Sequence, residues 1–422
     1  MKELYPGDQG TLVQYVQLAL TRAGYPVKID GAFGKQTCAV LQEFLGEDQE
    51  CRVSDTQWQL LIPYLKGYTT YRIQEGDTLW EIASNMNSSM RGLVLANPTI
   101  DPNRLMPGMV IFVPYDYLLV SDEVAYSSYL TEWILEGLFV RYPFLKKESI
   151  GNSVMGRKLS VLKIGEGSRQ VFYNAAFHAN EWITTPVLLK FAEDYAQAYA
   201  YGGSLLAVRA SWLYYGYTLS LLPLVNPDGV DLVTGVLDEE VYLQQAERIA
   251  GDYPGIPFPQ GWKANIDGID LNLQFPAGWE RAREIKYAQG YQTPAPRDFV
   301  GIAPLSAPES KSVYDYTIRN HFELILAYHT QGEVIYWKYL DYEPKDSYRI
   351  ARYFEEVSGY AVEETPGESG YAGYKDWFIQ EYNRPGYTIE AGLGTNPLPM
   401  SQFAKIYDDN FGILIGGMTE LS

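Results

Sequence analysis

The chain has three histidines in 422 residues, and the placement of two of them points to metal chemistry. His178 lies in Ala176-Phe177-His178-Ala179-Asn180-Glu181-Trp182. His329 closes the apolar run Phe322-Glu323-Leu324-Ile325-Leu326-Ala327-Tyr328-His329. A His-x-x-Glu pair joined by a distant imidazole supplies two nitrogens and one carboxylate oxygen, the donor set of a catalytic zinc site. His178, Glu181 and His329 are therefore the candidate ligands of one Zn2+ per chain. His321 is expected where a helix gives way to a strand, in a structural role.

Positioning such a set requires a rigid frame. Apolar runs at 171–177, 219–225 and 324–328 alternate with helical stretches. Near-continuous apolar strands are buried on both faces, so residues 117–422 are expected to form a largely parallel sheet flanked by helices. In an open α/β sheet, functional groups collect beyond the carboxyl ends of the strands. His178 follows the run ending at Phe177, and His329 follows the run ending at Tyr328. Both imidazoles would then share one sheet edge, with Glu181 reaching back from the start of the next helix.

Two smaller units precede this domain. In residues 1–66 the spacing of Leu12, Val16 and Leu20, and of Val40, Leu41 and Phe44, is helical. The turn Asp30-Gly31-Ala32-Phe33-Gly34 interrupts it. Residues 67–116 read as strand, helix and strand. Tyr71-Arg72-Ile73-Gln74 is followed by a Gly76-Asp77 turn, a helix capped by Thr78 or Asp77, the Asn97-Pro98 segment and, within 105–114, a turn and a second strand. Cys38 and Cys51 are the only cysteines. They either bridge, as in an oxidising compartment, or stay as two reduced thiols.

Composition excludes several classes. A net charge of −19 leaves nothing to neutralise phosphates, so nucleic acid is not an expected partner. No apolar run reaches the roughly 18 residues of a membrane span, and the first residues carry no secretion signal. The 36 tyrosines suit carbohydrate or peptide ligands, although most would serve as ordinary core and rim.

Three further segments are Pro223-Leu224-Val225-Asn226-Pro227-Asp228-Gly229, Gly268-Ile269-Asp270-Leu271-Asn272 and Tyr387-Thr388-Ile389-Glu390-Ala391-Gly392. With the two histidine segments they make five collinear motifs, which resemble the zinc carboxypeptidase A family across about 120–420. The resemblance implies a mixed, roughly eight-stranded sheet, the three zinc ligands named above, and Glu390 as general base. It also implies a cation for the developing oxyanion, for which Lys263 is the candidate, and substrate contacts from Asn272. The family's mobile tyrosine has Tyr371 as its nearest candidate and Tyr374 as the next. Residues 1–66 resemble the small helical peptidoglycan-binding domain, and 67–116 resemble a LysM domain. In that domain Gly76, Asp77, Thr78, Asn97 and Pro98 would border a groove for N-acetylglucosamine chains.

Two departures redirect the expected substrate. The family's Asp-x-Asn-Arg reads Asp270-Leu271-Asn272-Leu273 here. Leu273 cannot pair with a C-terminal carboxylate, and a buried unpaired carboxylate is costly. Lys375 falls near the floor of the pocket that selects the residue after the cleaved bond, where it would favour an acidic group. Both changes resemble the bacterial γ-D-glutamyl-L-diamino acid endopeptidases. The expected activity is therefore zinc-dependent hydrolysis of the γ-D-glutamyl–diaminopimelate bond in peptidoglycan stem peptides. The expected partners are glycan strands and stem peptides, with no membrane and no protein partner indicated. Alternatives are a general metallocarboxypeptidase acting on ordinary peptides, and a wall-binding protein with an inactive peptidase domain. The expected location is the cell wall or spore envelope, with the cytoplasm left open by the missing signal.

Overall fold

The computed structural model describes residues 1–46 and 50–421, which divide into two compact units. One comprises residues 1–125 with 129–146, the other residues 126–128 with 147–422.

The first unit opens with three helices, Thr11–Arg22, Lys35–Leu45 and Asp55–Lys66. Leu12, Val16 and Leu20 are buried on the first helix, as their spacing requires. The buried Gln17 amide organises the 30–34 turn. It accepts from Gly31 N at 2.8 Å and donates to Asp30 Oδ1 and Thr37 Oγ1, each at 3.0 Å. Every polar atom of that side chain is thus matched, which is the condition for burying an amide. Cys38 and Cys51 are joined in a disulfide.

Tyr68–Arg72 pairs antiparallel with Val110–Pro114, and the helices Leu79–Asn85 and Met90–Ala96 lie between them in sequence. Ile73, Leu79, Ile82, Leu93, Ile111 and Val113 form the core of this module.

The helix Ser128–Arg141, expected in the catalytic domain, belongs from Tyr129 onward to the first unit. Trp133 meets Tyr15 edge-on at 6.2 Å, and Arg141 donates to Tyr115 O at 2.8 Å. Gly137 permits this seating, because a Cβ there would lie 2.0 Å from Lys66 O.

The second unit is built on an eight-stranded sheet. Its order is Ala361–Glu363, Val334–Tyr336, Gly386–Glu390, Phe322–His329, Arg169–Ala175, Tyr217–Leu222, Lys158–Ile164 and Lys146–Asn152. The four central strands run parallel. Lys158–Ile164 and Val334–Tyr336 join them antiparallel, which makes the sheet mixed rather than largely parallel. Central strands such as Phe322–His329 are buried almost throughout, as expected with helices on both faces.

Candidate active site

The candidate metal ligands lie at or just beyond the carboxyl ends of two parallel strands. The strand Arg169–Ala175 stops two residues earlier than its apolar run, because Ala176 turns with φ +54°. His178 follows that turn. Glu181 ends a short 3-10 turn, Ala179–Glu181, rather than opening the helix, which starts at Thr184. His329 is the last residue of its own strand.

The three side chains converge. His178 Nδ1 lies 3.0 Å from Glu181 Oε1, His329 Nδ1 lies 2.9 Å from Glu181 Oε2, and the two Nδ1 atoms are 3.3 Å apart. Zinc–nitrogen bonds of about 2.0–2.1 Å at tetrahedral angles separate neighbouring donors by roughly 3.3 Å, so this set fits zinc. Asp270 Oδ1 holds the far nitrogen of His178 at 3.1 Å, the carboxylate–imidazole support that fixes a ligating ring. Thr330 N donates to Glu181 Oε2 at 3.2 Å, and Lys263 Nζ donates to Oε1 at 2.8 Å.

Electrostatics at the site are set by burial working against neighbours. Burial alone would raise the Glu181 pKa, but Lys263 and His178 outweigh it and hold the carboxyl well below its usual range. Burial would lower the His178 pKa, yet Glu181 and Asp270 carry it up to about 9. Lys263 is likewise depressed by burial and raised more by Glu181, so it stays a cation. Glu390 is shifted upward, chiefly by burial, against the opposing pull of His329.

A cavity of about 230 Å³ joins these groups. Its lining brings together His178, His329, Lys263, Asn272, Leu273, Lys375 and Glu390 among the residues singled out by sequence. Asn272 Oδ1 accepts from Tyr374 N at 3.0 Å, and its amide nitrogen stands 3.5 Å from His329 Nε2. Tyr371 is not among the lining residues. It packs beside Gly278 and against the cluster of Trp279, Ala282, Val300 and Ala372. Tyr374 is fully buried, with its hydroxyl 2.9 Å from Thr317 Oγ1. His321 is exposed in the junction between the helix Pro308–Arg319 and the following strand.

The motif 223–229 is a brace. Asn226 Nδ2 donates to Phe177 O at 3.1 Å and to Ala264 O at 2.9 Å, tying the residue before His178 to the residue after Lys263. Gly229 lies so close that a Cβ would meet Ala264 O at 2.6 Å. Asp228 and Asp231 share the Arg157 guanidinium at 3.1 and 3.0 Å.

Sequence reading passed over Arg297 and Lys286, which also line the cavity. Lys286 sits on the buried face of the helix Trp279–Ala288 and Arg297 in a loop without motif, so no local signal marks either as a site residue.

In the LysM region, Thr78 caps its helix by accepting from Glu81 N at 3.2 Å, and Asp77 Oδ2 accepts from Gln74 N at 2.7 Å. Asn97 binds Leu93 O and Phe112 O, each at 2.8 Å, through its amide nitrogen. These side chains fix the two turns. Trp80 beside them is 68% exposed and was not anticipated.

Residues 132–412 match the family model described as zinc carboxypeptidase. The chain belongs to the zinc carboxypeptidase family. Zinc is accordingly its cofactor, and His178, Glu181 and His329 form its candidate metal site. Residues 71–114 match the LysM domain. Within this peptidase family the chain is 44% identical, over 304 residues, to gamma-D-glutamyl-L-diamino acid endopeptidase 1 of Lysinibacillus sphaericus. That match covers 72% of each protein. It is 41% identical over 298 residues to an uncharacterized protein of Bacillus subtilis strain 168, covering 70% of this chain and 77% of that one. Bovine thrombin-activatable fibrinolysis inhibitor, solved with tick carboxypeptidase inhibitor, shares the fold with TM-score 0.55 and 20% identity. The match covers 71% of this chain and 98% of that one.

Proposed function

We propose that this zinc carboxypeptidase family member hydrolyses the γ-D-glutamyl–diaminopimelate bond of peptidoglycan stem peptides. The observation that carries the substrate reading is Leu273 in the cavity wall, where an arginine would hold a C-terminal carboxylate. Likeness to the Lysinibacillus enzyme supports the same reading.

Held by His178, Glu181 and His329, zinc would supply Lewis-acid chemistry toward the scissile carbonyl and the attacking water. Glu390 takes a proton from the attacking water and returns it to the leaving amine nitrogen. Lys263 offers a fixed positive charge to the carbonyl oxygen as negative charge develops there. Asn272 stands between the ligand His329 and the substrate cavity as a hydrogen-bonding group. Lys375 lines the cavity, but its ammonium is taken up by Lys338 O, Thr365 Oγ1 and the Asp376 carboxylate, so the acidic far end of diaminopimelate is not assigned to it.

The N-terminal modules act as tethers. Residues 1–66 serve as a peptidoglycan-binding helical domain, and the 76–78 and 97–98 turns border the glycan groove of the LysM module. Tethering raises the effective substrate concentration. Attachment to the cell wall or spore envelope follows from that role. No helix among the described residues is long and apolar enough to cross a membrane.

The test offers the zinc-loaded chain a tripeptide of L-alanine, γ-D-glutamate and diaminopimelate beside a blocked dipeptide with a C-terminal aromatic residue. Mass spectrometry should show diaminopimelate released from the first and the second left intact. Preference for the dipeptide overturns the reading.

A further inference from the structure

Four basic side chains line the cavity: Lys263, Lys286, Arg297 and Lys375. Two of them are already engaged. Lys263 donates to Glu181. Lys375 reaches Lys338 O at 2.7 Å, Thr365 Oγ1 at 3.2 Å and Asp376 Oδ1 at 2.7 Å, and its side chain is 4% exposed. Two of its three donors go to neutral oxygens, and the Asp376 carboxylate beside it offsets its charge, so this buried ammonium is already engaged by the protein.

Lys286 and Arg297 differ, because together they face one carboxylate. Asp298 Oδ1 lies 2.5 Å from Lys286 Nζ, and Asp298 Oδ2 lies 2.6 Å from Arg297 Nε. Two cations thus share the two oxygens of one anion, which leaves donors of both unspent at this wall. The nearby Asp270 carboxylate also bears on Arg297 electrostatically, but its oxygens are occupied by His178 Nε2, Asn272 N and Asp298 N at 3.1, 3.2 and 3.1 Å, so it makes no hydrogen bond to the guanidinium. Arg297 is held through Nε alone. Among the described residues its two terminal nitrogens have no protein partner, and its side chain is 42% exposed. A guanidinium edge with paired free donors matches a carboxylate in bidentate geometry.

Its position is rigid. Asp298 holds φ +67°, unfavourable for a residue with a Cβ, and its N–H is fixed on Asp270, which also supports His178. Such backbone persists only where the surroundings over-determine it.

We infer that Arg297, supported by Lys286 through Asp298, clamps a free carboxylate of the substrate and replaces the arginine absent at Leu273. The inference rests on the peptidase reading above. Two carboxylates of the stem peptide qualify: the α-carboxylate of D-glutamate, left free because the bond runs through the side chain, and a carboxylate of the diamino acid.

The test compares the full zinc-loaded chain with Arg297→Gln and Arg297→Lys. The substrates are the all-acid tripeptide, its glutamate α-amide and its diamino-acid amides. Arg297→Gln should lower kcat/KM on the all-acid peptide about 10- to 100-fold, the scale of one charged hydrogen-bonded pair. Arg297→Lys should recover part of that. Against one amide, wild type and Arg297→Gln should perform alike, and that amide names the carboxylate. Zinc content and melting temperature should stay unchanged. An Arg297→Gln loss equal on every substrate, or under twofold on the all-acid peptide, overturns the clamp. If wild type cleaves only ordinary α-peptides, the wall reading fails. The clamp is then read from C-terminal acid against amide on those peptides. If nothing is turned over, calorimetry in the Glu390→Gln background reads the same comparison as Kd, and equal Kd values overturn the clamp.

Discussion

Glu390 and His329 are register partners on adjacent parallel strands, so the candidate base and a metal ligand leave the same sheet edge side by side. Their separation is fixed by backbone hydrogen bonding rather than by loop conformation. A site built on paired strands holds its geometry more tightly than one built on loops.

Glu390→Gln should keep zinc and fold while lowering kcat by about 10²- to 10⁴-fold, the usual scale for a lost general base. Metal analysis alongside peptide hydrolysis checks it. Unchanged turnover would remove Glu390 from its role.

Asn226→Ala should destabilise the catalytic unit by about 1–3 kcal/mol, because the buried carbonyls of Phe177 and Ala264 lose a shared donor. The same variant should lower kcat/KM, since both carbonyls flank site residues. Denaturant melts and kinetics read the two effects, and a neutral result in both would show that the brace is redundant.

Asp231 supplies a pH test. Burial pushes its pKa up to about 7 despite the Arg157 guanidinium. A carboxyl raised above its unfolded value near 3.8 contributes stability at pH below that value, and this contribution is lost as pH rises through 7. Asp231→Asn should therefore flatten the stability profile between about pH 4 and 7, as read by melting temperature across that range. An unaltered slope would mean that Asp231 titrates normally.

Trp80→Ala should reduce retention on insoluble peptidoglycan without affecting cleavage of a soluble tripeptide. The exposed indole adjoins the Thr78 cap, and flat aromatic faces suit sugar rings. Retention should depend weakly on salt, given the acidic chain. Co-sedimentation at two ionic strengths measures both points, and full retention by the variant would dismiss Trp80.

The sequence by itself determined the donor set, the strand context of both imidazoles, the Glu390 segment and the LysM turns. Each is local: a residue type at fixed spacing beside an apolar run records both its chemistry and its place on a strand end. Tertiary structure alone decided which cations remain free. Lys375 is engaged by a carbonyl and a hydroxyl, with its charge offset by the neighbouring Asp376. Arg297 arrives from a loop without pattern, and Tyr371 packs into an apolar cluster rather than the cavity. The seating of the 128–141 helix was equally hidden, because it depends on Gly137 approaching a carbonyl far back in the chain. Spacing encodes what a segment can become. Pairing among buried charges and packing across long loops depend on partners distant in sequence, and only the folded chain brings those together.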